Sequence, residues 1–252
     1  MNPVIVRKIK IGEGIPKICV PIVGVTKEAI IEEAKTIAAL SADIVEWRAD
    51  WYEDVFLFED VRSVLKSLRE ILQETPLLFT IRTAKEGGEK SIDNATYIAL
   101  NKAVIESGEI DLLDVELFSG DKVVEEIIGY AHQNQVKVIA SNHDFEKTPS
   151  KEEIISRLQK MQEMGADILK IAVMPKSSKD VITLLAATEE MSTNYAKQPI
   201  VTMSMSRDGV ISRLAGEIFG SAITFGAAGK ASAPGQISVQ ELRKVLEILH
   251  YC

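Results

Sequence analysis

The sequence predicts an α/β protein of the (β/α)8 TIM-barrel class, and three observations predict it. Short apolar runs rich in β-branched residues alternate with longer segments of helical period along all 252 residues. The units recur about every 30 residues, the spacing of a strand–helix–strand repeat. No Pro/Ser-rich linker interrupts them, so residues 1–252 read as a single barrel domain. The competing fold, an open doubly wound sheet, would carry a Gly-rich nucleotide fingerprint after its first strand, and the sequence has none there.

The strand runs, in order, are Ile18–Val23, Ile44–Trp47, Leu77–Ile81, Leu112–Leu117, Val136–Ser141, Ile168–Met174, Ile200–Met205 and Ala222–Phe225. Short continuous apolar stretches of this kind suit strands buried on both faces. The helical stretches are Lys27–Leu40, Glu59–Gln73, Asn94–Ser107, Asp121–Gln133, Lys151–Met164, Lys179–Asn194, Val210–Phe219 and Ser238–Leu249. Their period places residues such as Ile154, Leu158, Met161 and Met164 on one face. Ser150 followed by Glu153 is a capping-box pattern, and Gly165 and Gly108 follow helix ends. Ahead of the barrel, residues 3–16 predict an extra β-hairpin around Gly12-Glu13-Gly14 that covers the barrel floor.

Composition excludes several classes. With 29 Lys and Arg against 37 Asp and Glu, the formal net charge is -8, so the basic footprint of a nucleic-acid binder is missing. No apolar run approaches the ~18 residues of a membrane span. The first residues, MNPVIVRKIKIGEG, carry charges where a signal peptide has its apolar segment. Cys19 lies in an apolar run and Cys252 is the last residue, a pattern that does not indicate a disulfide framework. A reducing, cytoplasmic setting is the expectation.

Lys170 stands in the run Ile168-Leu169-Lys170-Ile171-Ala172-Val173-Met174, which otherwise reads as a fully buried strand. A Lys is almost never fully buried unless it is paired or used. Burial disfavours its charged form, and a neutral amine attacks carbonyls, which makes Lys170 the candidate Schiff-base lysine. Spacing alone fits equally a strand-end Lys that snorkels its ammonium to water.

Catalytic groups of such barrels sit at the C-terminal ends of strands. Those ends carry Glu46 and Arg48, Arg82, Asp114 and Glu116, His143 and Asp144, Lys170, and then Arg207 and Arg213. Cations converging on one mouth of an acidic protein focus positive potential on a small anionic ligand. Of the three histidines, His132 and His250 lie near helix C-termini and read as structural. His143 follows the apolar run Val138–Ala140 and reads as a proton carrier, since its ordinary pKa lies near neutrality. The Gly-rich segment 226–236 lacks the phosphate-loop pattern GxxxxGK[ST]. Its small residues, with Ser232 and Gln236, suit a lid that hydrogen-bonds hydroxyls. Met203 and Met205 read as core filling.

These residues fall in motifs. Glu46-Trp47-Arg48, the stretch Thr83 to Gly88, Ser141-Asn142-His143-Asp144-Phe145, Lys170-Ile171-Ala172-Val173-Met174-Pro175, Ser212-Arg213-Leu214-Ala215-Gly216 and Ala231-Ser232-Ala233-Pro234-Gly235-Gln236 together resemble type I 3-dehydroquinate dehydratase over nearly the whole chain. The resemblance implies a (β/α)8 barrel and a homodimer, acting in the shikimate pathway of aromatic amino acid biosynthesis with no metal or organic cofactor. It implies that Lys170 forms an imine with the C3 ketone of 3-dehydroquinate. His143 would remove a C2 proton and protonate the departing C1 hydroxyl, and Glu86 would orient and tune this His. Arg213 would clamp the substrate carboxylate. Glu46, Arg48, Arg82, Ser232 and Gln236 would hold the ring hydroxyls or close over the ligand. Pro21 departs from the pattern, since some members have a Ser there.

Two other chemistries compete. A class I aldolase also needs a Schiff-base lysine in a barrel, and a metal enzyme could use Glu46, Glu116 and Asp144 as hard oxygen ligands. In the dehydratase reading, burial and the neighbouring Arg48, Arg82 and Arg213 would favour a neutral Lys170.

Overall fold

Residues 1–40, 42–228 and 237–251 are described by the structure, a computed structural model. The chain opens with an antiparallel hairpin, β1 (Val4–Val6) and β2 (Ile9–Ile11). Eight parallel strands follow: β3 (Lys17–Ile22), β4 (Ile44–Arg48), β5 (Leu77–Thr80), β6 (Leu112–Glu116), β7 (Lys137–Asp144), β8 (Ile168–Val173), β9 (Ile200–Ser204) and β10 (Ile223–Phe225). Their order is β10-β3-β4-β5-β6-β7-β8-β9. The remaining seam between β9 and β10 closes through a parallel bridge of Ile200 with Ser221 and a 2.8 Å bond from the Ala222 amide to the Ile200 carbonyl.

Between the strands lie α1 (Lys27–Ala38), α2 (Phe58–Leu72), α3 (Asn94–Glu106), α4 (Asp121–Gln133), α5 (Lys151–Glu163), α6 (Ser178–Asn194), α7 (Val210–Leu214) and α8 (Gly216–Phe219), with α9 (Val239–Tyr251) last. Side-chain caps start several of them: Thr26 on α1, Asp93 on α3 and Ser150 on α5 each accept a backbone N–H of the first turn. Ser177 and Asp180 form a full capping box on α6.

Strand side chains alternate between two layers, and this parity places the chemistry. On β8, Leu169, Ile171 and Val173 join the large core between sheet and helices, while Ile168 and Ala172 face the barrel interior. Lys170 shares the inward parity of Ile168 and Ala172. The same count turns Glu46, Asp114, Ser141 and His143 inward, because Ile44, Leu112 and Ile139 on those strands belong to the interior cluster. Val4, Val6 and Ile11 pack into that cluster from below, so the hairpin does cover the barrel floor.

Four expectations need correction. The hairpin turns at Arg7 and Lys8, not at Gly12-Glu13-Gly14, with Val6 paired to Ile9 and Arg7 at φ 49°. Gly12 instead serves the exit toward β3, at φ 94°, where a Cβ would lie 2.8 Å from Pro199. Strand β7 runs on to Asp144, because His143 and Asp144 pair with Ala172 and Val173 of β8. His143 therefore lies within the strand rather than after it. The stretch Val210–Phe219 splits into α7 and α8 because the Thr224 hydroxyl takes the Arg213 carbonyl at 2.9 Å, a group an unbroken helix would need. At α5, Ser150 caps the Glu153 amide, but the Glu153 carboxylate turns to Arg157 at 2.8 Å instead of completing a capping box.

Candidate active site

The inward-facing polar residues form one connected network at the C-terminal ends of the strands. Lys170, 3% exposed, donates from Nζ to Asp114 Oδ2 at 3.1 Å. Its Nζ lies 3.9 Å from Glu46 Oε1 and 4.6 Å above the Phe225 ring. Asp114 is held from its other oxygen by Arg82 Nη2 at 2.8 Å and by the Ser141 hydroxyl at 2.6 Å. Burial alone would raise the Asp114 pKa, but the charges of Arg82 and Lys170 carry it below the usual carboxylate range. Arg82 also donates to Glu116 at 3.0 Å, and Glu116 accepts from the backbone and hydroxyl of Thr83. Burial opposes the Arg82 charge, yet Asp114, Glu116 and Glu86 together hold its pKa above normal.

Behind His143 stands Glu86, on the single turn Ala84–Glu86 that follows β5. Its Oε2 accepts from the His143 backbone N–H at 2.8 Å and lies 3.1 Å from Nδ1 of the ring. That turn folds tightly: a Cβ on Gly88 would collide with the Arg82 carbonyl oxygen. Burial pushes the Glu86 carboxyl up to about 7, against the pull of Arg82. Burial and then the charges of Arg82, Lys170 and Arg48 hold His143 well below its usual pKa, so the ring is neutral near pH 7. An ionised Glu86 only accepts hydrogen bonds, which places the proton on Nδ1 and leaves the Nε2 lone pair available.

A cavity of about 150 Å³ opens onto these groups, lined by Glu46, Arg48, Arg82, Glu86, His143, Lys170 and Arg213 among others. Arg48 is fixed by a bidentate pair with the fully buried Asp50, both bonds at 2.8 Å. Arg213 enters from α7, 1% exposed, its pKa drawn down to about 10 by burial. An amine, a neutral imidazole with its carboxylate, and guanidinium groups around one small cavity suit imine chemistry on an anionic carbonyl compound.

The sequence profile described as type I 3-dehydroquinase matches residues 18–251. The chain belongs to the type I 3-dehydroquinase family. It is 58% identical over 245 residues to a 3-dehydroquinate dehydratase of Clostridioides difficile (strain 630), covering 97% of this chain and 96% of that protein. Identity is likewise 58% over 250 residues, 99% of each chain, with a 3-dehydroquinate dehydratase of Listeria monocytogenes serotype 4b (strain F2365). A crystal structure of type I 3-dehydroquinate dehydratase from Clostridium difficile with covalently modified comenic acid superposes with a TM-score of 0.97 at 57% identity, over 100% of this chain and 99% of that one. As a type I 3-dehydroquinase the chain is a lyase that works through a Schiff base, and the aldolase alternative falls away.

The structure brings Glu46, Arg48, Arg82, Glu86, His143, Lys170 and Arg213 to one cavity. Ser232 and Gln236, with the expected lid, lie outside the described residues. Arg207 is exposed and does not join the cavity wall. The expected positive field is also narrower than the count of cations implied. Arg48, Arg82 and Lys170 each have a carboxylate partner, and the charge nearest the Lys170 amine is Asp114, not a cation. Pro21 lines a separate hollow with Ile37 and Ala228. Met203 and Met205 are buried as expected but also wall the site cavity. Glu46, Glu116 and Asp144 form no group able to hold a metal among the described residues. His132 and His250 are tied to Asp167 and Glu217, as structural histidines are. Sequence reasoning placed Asp114 at a strand end without a specific role, and passed over Asp50, Ser141 and Thr80, whose hydroxyl donates to Glu46 at 2.8 Å. Strand parity would have flagged Ser141 and Thr80, each two residues beyond an interior apolar residue, and would have turned Asp114 inward.

Proposed function

We propose that this type I 3-dehydroquinase converts 3-dehydroquinate to 3-dehydroshikimate and water with Lys170 as the imine-forming lysine and His143 as the proton carrier, oriented by Glu86. The observation that carries this reading is the shared cavity, onto which the Lys170 amine and the His143 ring both open, with Glu86 behind the ring. Arg213 takes the substrate carboxylate, a planar anion that suits a guanidinium fork. Lys170 passes a proton to the neutral His143 ring, its amine attacks the C3 ketone, and the carbinolamine hydroxyl takes that proton back and leaves as water to give a cationic iminium. His143 removes a C2 proton, the electrons of that C–H bond flow to the iminium, and an enamine results. The enamine expels the C1 hydroxyl, which leaves as water with the proton held on His143. Hydrolysis of the product imine consumes one water and frees Lys170, so one water is released overall. Asp114, ionised and 3.1 Å from Nζ, compensates both the ammonium and the iminium.

Glu46 and Arg48 hold ring hydroxyls in this scheme. Arg82 contributes mainly by fixing Asp114 and Glu116, since its guanidinium is engaged by both. Roles for Ser232 and Gln236 rest on the family resemblance alone. The proposal extends to a homodimer in the cytoplasm with a small anionic substrate as partner, and with neither nucleic acid nor membrane. The excess of acidic residues and the free, buried thiol of Cys19 support that setting. Borohydride reduction in the presence of 3-dehydroquinate, followed by mass spectrometry, tests the chemistry. An adduct on Lys170 is expected, and an adduct on Lys176 or Lys230 instead would overturn the assignment.

A further inference from the structure

On β7 the residue before His143 faces the other way. Asn142, 3% exposed, has the outward parity of Val138 and Ala140, toward α5. There Arg157 Nη1 donates to its Oδ1 at 2.8 Å. A guanidinium has only donors, so the amide must turn its oxygen to Arg157 and its NH2 the opposite way. The NH2 meets Glu86 Oε1 at 3.2 Å. Arg157 is itself fixed, by Glu153 at 2.8 Å, by Asp144 at 4.0 Å and by the Phe118 ring 5.3 Å from its guanidinium carbon.

We propose that Arg157 is a positioning residue of the active site: through Asn142 it locks an amide donor onto Glu86, so that only the ionised carboxylate is fully satisfied and His143 keeps its acceptor. The inference rests on the roles proposed above for Glu86 and His143. The two orientations of Asn142 favour opposite protonation states. As locked, NH2 donates to Oε1 while the His143 backbone donates to Oε2, and both oxygens act as acceptors. Flipped, the amide would present its oxygen to Oε1, a contact satisfied only if Glu86 carries a proton there.

The charged groups facing Glu86 are Arg82 after β5, 3.6 Å from Oε2, Glu116 on β6, which repels it, and His143 on β7. From α5, Arg157 acts only by way of the amide. Burial holds the Glu86 pKa up to about 7, so a lost donor moves the group through the working range. Arg157 lines an outer cleft of about 510 Å³ and does not line the Lys170 cavity, so substrate contacts need not change when it is replaced.

The test is the pH dependence of kcat in Arg157→Met, Arg157→Lys and Asn142→Asp, with thermal melting to confirm folding. In Arg157→Met the acidic limb should move up by about one pH unit while KM changes by less than about twofold. Arg157→Lys, whose ammonium is also donor-only, should restore the limb toward the original position. Asn142→Asp keeps an acceptor for Arg157 but offers Glu86 an oxygen, so it should shift the limb upward too, and it carries the test where Arg157→Met does not fold. An unmoved limb, or an equal kcat loss at every pH, would overturn the inference. Glu86→Gln separates the two levels: a limb that survives in that variant would show that the proposed role of Glu86 itself is wrong.

Discussion

The ammonium of Lys170 lies 3.1 Å from Asp114 Oδ2, and Arg82 and Ser141 hold the other Asp114 oxygen at 2.8 and 2.6 Å. A buried amine thus faces a carboxylate that cannot turn away from it. The arrangement gives an iminium on Lys170 the same counter-charge as the resting ammonium, with no reorganisation between them. Asp114→Asn should therefore lower kcat by about 10²-fold, the usual cost of one preorganised electrostatic partner. It also leaves Arg82 short of a buried partner, so a fall in melting temperature should accompany the loss. Steady-state kinetics and thermal melting check both, and wild-type kcat in a folded variant would dismiss the counter-charge role.

Replacing the amine is expected to act on chemistry rather than on folding. In Lys170→Met, Asp114 keeps Arg82 and Ser141, so the carboxylate is not left uncompensated. Turnover and borohydride trapping should both vanish while the melting temperature holds or rises, because an apolar chain fills the site of a buried charge. His143→Ala should separate the steps differently. Elimination should slow by about 10²–10⁴-fold, while ligand still accumulates as an imine on Lys170. Trapping followed by mass spectrometry distinguishes the two variants.

Much of this barrel was legible in the chain because burial on both faces of a parallel sheet leaves continuous apolar runs, and a charge inside such a run stands out. Lys170 was found that way. The turn of the hairpin was not, because Gly12 and Gly14 look like turn residues while the two-residue turn falls on Arg7 and Lys8. Glu86 came from the family motif alone, since nothing in local spacing shows that its single turn reaches across to β7. Asp114, Ser141 and Thr80 were visible as residues, but their use depends on counting alternate positions from the floor inward. Arg157 lies in an ordinary amphipathic helix, where its spacing from Glu153 reads as a surface ion pair. Only the three-dimensional approach of α5 to β7 gives it a route to the site.

Arg213 should not tolerate a change that keeps its charge. It enters the cavity from α7, where Thr224 holds the Arg213 carbonyl at 2.9 Å and breaks the helix, so its backbone position is fixed. An ammonium cannot form two parallel bonds to a carboxylate. Arg213→Lys should raise KM by about 10- to 100-fold, the loss of one or two charge-assisted bonds, while leaving Lys170 able to form an imine. An unchanged KM would show that the substrate carboxylate is bound elsewhere.

The Glu86 carboxyl, raised by burial to about 7, ties stability to pH with a definite sign. Between the ordinary carboxylate range and about pH 7 the folded state keeps a proton that the unfolded chain has already lost. Its contribution is therefore greatest at low pH and is lost as pH rises through about 7. His143 works the other way: held neutral in the fold, it costs stability as pH falls below the ordinary histidine range, where the unfolded chain takes up a proton. The two trends oppose each other in the wild type, so its stability curve alone does not resolve them. The comparison of Glu86→Gln with wild type does, because the burial and the charges of Arg82, Lys170 and Arg48 that hold His143 neutral are present in both. Gln cannot ionise, so the variant should gain stability relative to wild type between pH 5 and pH 8, by on the order of 1–3 kcal/mol. Urea unfolding at the two pH values measures the difference. A difference that stays constant, or that shrinks toward pH 8, would mean that Glu86 is ionised in the fold across the whole range and that Arg82, not burial, decides its state.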